Sequence, residues 1–155
     1  MSIHASPTPS AEAAAERSAL EVVQAFLSAL ERLDFDSVFA LCAPEMRWVN
    51  VPWRTATSKE QFERMLLLMF RDTTRFEVQF FDIHERGNGV VYTDRIDIVE
   101  GGGMSMTLPV QGEFRVKDGL VTEWVDRFSW RAVIAEIGRS LPGVIKFRLG
   151  RRSQI

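Results

Sequence analysis

The centre of the chain carries charged and apolar residues in alternation between two glycine-rich turns. It runs Gly87-Asn88-Gly89-Val90-Val91-Tyr92-Thr93-Asp94-Arg95-Ile96-Asp97-Ile98-Val99-Glu100-Gly101-Gly102-Gly103. A period of two predicts a β-strand over 89–100, with alternate side chains on the same face of a sheet. The flanking turns are of the hairpin type, and short hairpin turns force neighbouring strands to run antiparallel. This segment therefore predicts an antiparallel sheet.

The rest of the second half extends that sheet. Further strands are predicted at 75–85, 104–116 and 120–129, the last two separated by the turn Lys117-Asp118-Gly119. A short helix is expected near 130–139, before Pro142. The strands thus form a meander that follows the helices of the first half.

Helical periodicity dominates the first half. Apolar residues at helical spacing run from Val22 to Leu33, and Asp34 or Asp36 can cap a second short helix that Pro44 ends. Ser58 and Gln61 have capping-box spacing for a third helix, which is apolar on more than one face. The order of elements predicts an α+β fold, a curved antiparallel sheet wrapped around N-terminal helices. The pocket should lie between the inner face of the sheet and those helices.

Length and composition limit the domain count and the functional classes. With 155 residues, 46% of them hydrophobic, the chain is sufficient for one domain, which we place at 16–150 after a flexible leader at 1–15. A net charge of −2 gives no footprint for nucleic acid. The C-terminal segment has a local excess of basic residues, too few to favour contact with a membrane or nucleic acid over a solvated tail. They are Lys146, Arg148, Arg151 and Arg152.

Cysteine and histidine are scarce. The single cysteine, Cys42, excludes an internal disulfide, and its apolar neighbours on a short helix favour a buried, unreactive thiol. His4 and His84 are far apart and have no ligand-type neighbours, so we expect no metal. No apolar run has the length of a membrane span and no signal peptide is evident. We therefore expect a cytoplasmic protein without stable membrane insertion.

Three charged residues on the strands could do chemistry. Arg95 and Asp97 share one strand face, and Asp126 lies between Trp124 and Phe128 on the face of another strand. Ion pairs of this kind are common on solvated sheet faces, where each contributes less than about 1 kcal/mol. The apolar flanks of Asp126 favour a pocket instead. Asn50 has a similar ambiguity, because it is either a turn residue before Pro52 or a polar group in the site.

The chain resembles the limonene-1,2-epoxide hydrolase family in three motifs that occur in the same order and at similar spacing. The motifs are Trp48-Val49-Asn50-Val51-Pro52, Tyr92-Thr93-Asp94-Arg95-Ile96-Asp97 and Gly119-Leu120-Val121-Thr122-Glu123-Trp124-Val125-Asp126-Arg127-Phe128. The resemblance covers roughly residues 18–135. It implies the cone-shaped α+β class that also contains nuclear transport factor 2, ketosteroid isomerases and polyketide cyclases.

The resemblance implies opening of an epoxide by water in one step, with no covalent intermediate and no metal or organic cofactor. Asp126 would be the base that deprotonates the water, and Asn50 would help to hold that water. Asp97 would be the acid that protonates the epoxide oxygen, and Arg95 would bridge the two carboxylates. Trp48 stands where the family normally has a tyrosine that helps to bind the water, and an indole can donate a hydrogen bond but not accept one.

The resemblance also implies an apolar pocket and hence a lipophilic epoxide substrate. The wall would consist of residues that could equally be plain core: Met69, Val99, Leu108, Val110 and Phe128. One alternative is an isomerase or cyclase of the same fold that acts on a carbonyl compound; a second is a non-catalytic ligand-binding module. We further expect a homodimer, because the third helix is too apolar for a single packing face and the family is usually dimeric.

Overall fold

Four helices and one six-stranded sheet make up the structure, a computed structural model that describes residues 17–51 and 55–152. The helices are α1 (Ala19–Glu31), α2 (Phe35–Ala40), α3 (Lys59–Met69) and α4 (Trp130–Arg152). The strands are β1 (Cys42–Val51), β2 (Thr55–Ala56), β3 (Thr73–Gly87), β4 (Val90–Gly101), β5 (Met104–Lys117) and β6 (Leu120–Phe128). The α+β class and the curved sheet are as the sequence predicts.

The helix starts follow the capping signals in the sequence. Ser18 caps α1 in a complete capping box with Glu21, and the Asp34 side chain caps α2 by accepting from the Ser37 N–H. Ser58 caps α3 by accepting from the Gln61 N–H. The side chain of Gln61 accepts from the Thr57 N–H. The cap on α3 therefore forms as predicted, with the return bond displaced by one residue.

The strands are arranged in the order β2-β1-β6-β5-β4-β3. The predicted meander of β3 to β6 is confirmed, and each of its neighbouring pairs is antiparallel. β1 instead joins the sheet parallel to β6, with Trp48 in register with Trp124 and Asn50 with Asp126. The sheet is therefore mixed and not purely antiparallel as predicted. The parallel pair was missed because a pairing between segments so distant in sequence leaves no local signal.

Two boundaries differ from the sequence prediction. Cys42 begins β1 rather than lying on a helix, and Pro44 lies within that strand. α4 continues through Pro142 to Arg152, although an internal proline costs a helix about 3 kcal/mol. Packing supports the helix there, since a Cβ added at Gly143 would lie 2.0 Å from the carbonyl oxygen of Gly103. The predicted leader at 1–15 and the residues directly after Val51 lie outside the described residues.

An aromatic core fills the space between the helices and the concave face of the sheet. The rings of Trp48 and Trp124 stack with centroids 5.3 Å apart, and Phe26 meets Trp124 edge-on at 5.2 Å. Phe62 of α3 packs edge-on against Trp48. This core closes one end of the sheet and leaves the other end, beside α4, free for a cavity. No helix in the described part of the chain is long and apolar enough to cross a membrane.

Candidate active site

A buried ion cluster lies on the concave face of the sheet. Arg95 is fully buried, and its Nε donates to Asp97 Oδ1 at 2.8 Å while its Nη2 donates to Asp97 Oδ2 at 3.2 Å. The same Nη2 donates to Asp126 Oδ2 at 2.7 Å. One guanidinium therefore bridges two carboxylates that are themselves almost wholly buried. The structure places Arg95, Asp97 and Asp126 together, and it excludes the alternative of a solvated surface pair.

Two further side chains orient the cluster. Arg95 Nη1 donates to Thr93 Oγ1 at 2.8 Å, and Trp124 Nε1 donates to Asp126 Oδ1 at 2.7 Å. Both neighbours lie two residues from the group they hold, on the same strand face. Each oxygen of Asp126 thus accepts a hydrogen bond, which leaves lone pairs on a carboxylate whose direction is fixed.

Burial and the shared guanidinium oppose each other in setting the charges. Burial raises the pKa of Asp97 to about 6, against the attraction of Arg95 and with the repulsion of Asp126 and Glu31 in support. For Arg95, burial acts to lower the pKa, but attraction to Asp126 and Asp97 outweighs it, so the pKa lies above its ordinary value. The arginine stays charged, and Asp97 binds a proton as the pH falls through about 6. Such a cluster holds both an acid and a base.

A cavity of about 290 Å³ opens directly over this cluster. Asp97 and Asp126 lie in its wall, together with Asn50 and Trp48. The rest of the wall is almost wholly apolar, and the five residues predicted from the sequence are all part of it: Met69, Val99, Leu108, Val110 and Phe128. Val133 and Ile137 of α4 are also part of the wall. The structure therefore brings every residue of the predicted site to one cavity or to its floor.

Parallel pairing of β1 with β6 delivers Asn50 and Trp48. Aligned residues of a parallel pair project to the same face, so Asn50 lies beside Asp126 and Trp48 beside Trp124. Trp48 is buried, and its Nε1 has no hydrogen-bond partner among the described residues. An unpaired buried N–H costs about 1–3 kcal/mol, so Trp48 Nε1 is a donor for which the described residues supply no acceptor.

Three residues of the site were not identified from the sequence. Thr93 and Trp124 hold the cluster, and their spacing of two from Arg95 and Asp126 is a signal that was available. Gly112 of β5 lies beneath the guanidinium, since a Cβ there would be 2.4 Å from Arg95 Nη1. Its position depends on the register between strands, which the sequence pattern does not give.

Other features of the structure lack this chemistry. A second groove of about 390 Å³ lies beside α1 and α2, and its lining residues include no buried charged group. Burial raises the pKa of the Cys42 thiol to about 12, as expected for an unreactive cysteine. Among the described residues, no group of histidine, cysteine, aspartate and glutamate side chains has the arrangement of a metal site.

A curved sheet wrapped around N-terminal helices places the chain in the class of proteins with the fold of nuclear transport factor 2. Solved structures of that class match closely. A SnoaL-like polyketide cyclase homologue from Shewanella putrefaciens superposes with a TM-score of 0.72 over 78% of this chain and 96% of its own, at 11% identity. At that identity the match speaks for the fold alone.

Sequence comparisons identify the family within this class. Residues 17–139 match the family described as the limonene-1,2-epoxide hydrolase catalytic domain. Epoxide hydrolase EphG of Mycobacterium tuberculosis is 34% identical over 113 residues, which cover 68% of this chain and 70% of EphG. A solved limonene-1,2-epoxide hydrolase-like epoxide hydrolase of M. tuberculosis is 30% identical, with a TM-score of 0.72 over 82% of this chain and 94% of its own. The chain belongs to the limonene-1,2-epoxide hydrolase family.

Proposed function

We propose that this protein hydrolyses a lipophilic epoxide to a vicinal diol by one-step general acid–base attack of water. The observation that carries the proposal is the single guanidinium of Arg95, bonded to both Asp97 and Asp126 at the floor of an apolar cavity. Family membership and the similarity to an epoxide hydrolase support the reaction type.

The two carboxylates divide the proton transfers. Asp126 removes a proton from the water as the water oxygen bonds to an epoxide carbon. The carbon–oxygen bond of the epoxide breaks, and Asp97 gives its proton to the departing oxygen. The proton on Asp126 then returns to Asp97 by way of the cluster or the product. General acid and general base assistance of about 10²–10⁴ each would together remove about 5–11 kcal/mol from the barrier if the two effects are independent.

Arg95 makes this division possible with identical side chains. Two ionised carboxylates and one guanidinium carry a net charge of −1, and burial disfavours the second negative charge. Bonding of the planar guanidinium to both groups also fixes their relative orientation, which the point charge of a lysine would not do. The raised pKa of Asp97 makes it the member that holds the proton.

Trp48 and Asn50 complete the binding of the water. In the proposed arrangement the water donates to Asp126 and to the side-chain oxygen of Asn50, while one lone pair attacks the epoxide. The remaining lone pair accepts from Trp48 Nε1, the buried donor that otherwise lacks a partner among the described residues. The indole thereby supplies the donor that a tyrosine hydroxyl supplies in the family pattern, so Trp48 is compatible with the reaction.

The cavity wall determines the class of substrate. Its apolar residues offer no partner for a charged group away from the Asp–Arg–Asp cluster. Its volume of about 290 Å³ lies just below the usual range of ligand sites, about 300–1,000 Å³. A compact hydrocarbon epoxide therefore fits better than a long polar one, and no organic cofactor is part of the proposal.

Incubation with a panel of lipophilic epoxides in ¹⁸O-water tests the proposal. In a single turnover with excess enzyme, a one-step reaction places ¹⁸O in the diol. A covalent ester intermediate would instead place ¹⁶O from an enzyme carboxylate in the first product. Asp126→Asn is the matched control and should form diol at least about 100-fold more slowly than the wild type. Failure of the wild-type protein to form a diol from any epoxide of the panel would overturn the proposal.

A further inference from the structure

The bond between Arg95 and Asp126 crosses a whole strand. Arg95 is on β4 and Asp126 on β6, and β5 lies between them. Neighbouring strands are about 4.8 Å apart, so β4 and β6 are separated by nearly 10 Å. The guanidinium therefore has to lie over the backbone of β5 in order to donate to Asp126 at 2.7 Å.

Gly112 is the residue of β5 at the crossing. It is in register with Thr93 of β4 on one side and with Asp126 of β6 on the other. A Cβ at this position would lie 2.4 Å from Arg95 Nη1, 2.5 Å from Thr93 Oγ1 and 2.9 Å from Asp126 Oδ1. These contacts are all too short for carbon, and they involve three members of the cluster at once.

The backbone does not explain a glycine here. Gly112 is not among the residues with positive φ, so any amino acid could adopt its conformation. Glycine within a strand also costs about 0.5–1 kcal/mol relative to alanine. The space above the Cα is thus the reason for glycine at this position.

We propose that Gly112 is a positioning residue, which keeps open the passage through which Arg95 reaches Asp126 and so sets the charge state of the site. The inference rests on the proposed function for its catalytic consequence and on geometry alone for its structural one. A methyl group at 112 would push Nη1 away from Thr93 Oγ1 and crowd Asp126 Oδ1, so the planar guanidinium could no longer hold Nη2 against Asp126 Oδ2. Asp97 would retain its bond to Nε, which enters from the β4 side.

Loss of the bridge changes the electrostatics of the cluster. The charged groups that act here are Asp97 and Arg95 on β4, Asp126 on β6 and Glu31 on α1, and only Arg95 is positive. With the guanidinium displaced, Asp97 loses its bond to Nη2 and binds a proton more readily. Since a nearby opposite charge favours the ionised form of a carboxyl group, titration of Asp97 should move to higher pH.

Gly112→Ala tests the inference, with Gly138→Ala on α4 as the matched control because a Cβ there meets nothing within 4 Å. We expect kcat at pH 7 to fall by about 100-fold, the cost of a displacement of about 1 Å, with little change in KM. The acid limb of the pH profile of kcat/KM should move to higher pH. A kcat and a pH profile equal to those of Gly138→Ala would overturn the inference.

Two measurements separate this inference from the proposed function. Carboxyl ¹³C NMR titration of Gly112→Ala should show the shift to higher pH whether or not the wild-type protein hydrolyses epoxides, and an unchanged titration would refute the inference. Where Gly112→Ala does not fold, it should fold in an Arg95→Met, Asp126→Asn background, which removes the guanidinium. Failure to fold there as well would show that the methyl group clashes with something else.

Discussion

Burial of Arg95 costs free energy, and its hydrogen bonds contribute to stability. A buried ion of its size carries a desolvation penalty of several kcal/mol, which two carboxylates and the Thr93 hydroxyl offset. One guanidinium faces two carboxylates, so one of the two negative charges has no matching positive charge within the cluster. Burial raises the pKa of Asp97 most, and repulsion by Asp126 raises it further. Attraction to Arg95 opposes both effects. The burial that makes the cluster costly in free energy is therefore also what raises the pKa of Asp97.

Asp97→Asn and Asp126→Asn should each lower kcat by about 10²–10⁴-fold or more. Each change removes one of the two proton transfers, and both occur in the same transition state. The double variant should be scarcely slower than either single variant, because the residues act as a unit. Diol formation by gas chromatography measures the rates, and circular dichroism verifies the fold. Near wild-type turnover by either single variant would refute the acid–base assignment.

The raised pKa of Asp97 predicts the pH dependence of activity and of stability. Diol formation should decline as the pH rises through about 6, because Asp97 loses the proton that it donates. A raised folded-state pKa stabilises the fold fully below the unfolded value of 3.8, and that contribution is lost as the pH rises through about 6. Its size is at most about 3 kcal/mol, at about 1.4 kcal/mol per unit.

Comparison with Asp97→Asn isolates this contribution from those of other carboxylates. The free energy of unfolding of the wild-type protein, relative to that of Asp97→Asn, should fall between about pH 4 and pH 6 and be constant above. Urea unfolding at a series of pH values measures the difference. A difference that is constant from pH 4 to pH 7, or that rises with pH, would contradict the prediction.

Trp48→Phe should lower kcat by up to about tenfold, the value of one hydrogen bond of about 1.4 kcal/mol, because the water loses a donor. Trp48→Tyr is the matched comparison, since it has a similar loss of volume but retains a hydroxyl that can donate. Steady-state kinetics of the two variants should therefore differ, with Trp48→Tyr the faster. Equal rates would show that Trp48 Nε1 has no part in holding the water.

At the level of the elements, helix α4 both lines the cavity and is bonded to the sheet. Val133 and Ile137 on one side of this helix line the cavity, and Glu136 between them is buried. Glu136 Oε2 accepts from the Thr107 N–H of β5 at 3.2 Å, and Glu136 also forms an ion pair with Arg139. One polar side chain thus fastens the helix to the sheet at the point where the helix covers the cavity.

Glu136→Ala should raise KM for a lipophilic epoxide more than it lowers kcat. It removes the acceptor of the Thr107 N–H, a part-buried hydrogen bond that contributes about 0.5–1.5 kcal/mol, and it loosens α4 over the cavity. The acid–base cluster itself is untouched. Kinetics together with amide hydrogen exchange of α4 measure the effect. Glu136→Gln keeps an acceptor and should be closer to wild type, whereas unchanged KM and exchange in Glu136→Ala would refute the role.

At the level of the whole molecule, large apolar side chains remain at the surface of the single chain. Leu68 on α3 is 69% exposed and Phe81 on β3 is 71% exposed. Leu67 and Met69 on α3 are about half exposed as well, so the two-sided apolar character of this helix is real. Surfaces of this kind are typical of protein contacts.

We therefore expect a homodimer, with an interface of more than about 1,000 Å² in total. Leu68→Asp and Phe81→Asp test the α3 surface and the surface of β3, and Ile134→Asp on α4 is an equally exposed apolar control. Sedimentation should give a dimer for the wild type and the control, and a monomer for the variant that alters the interface. A wild-type monomer of 17.7 kDa at micromolar concentration would refute the prediction.

Local sequence patterns predict most of the helices and strands. They also predict which residues of the cluster share a face within one strand. A period of two places Arg95 and Asp97 on one strand face, and the same rule places Trp124 beside Asp126. Capping residues fix the starts of α1 to α3. These features depend on residues within a few positions of each other, so the chain specifies them without reference to the rest of the fold.

The assembly of the cluster depends on contacts between distant residues. Counting back from the turn after Lys117 would pair Gly112 with Val125, but a bulge between Arg115 and Val116 shifts the register by one and pairs Gly112 with Asp126. The parallel pairing of β1 with β6 likewise places Asn50 beside Asp126. A shift of one residue turns every side chain to the opposite face, so only the packed sheet fixes which residues meet. Burial of Arg95 in turn requires the layers of the fold that cover it, and burial is also what raises the pKa of Asp97.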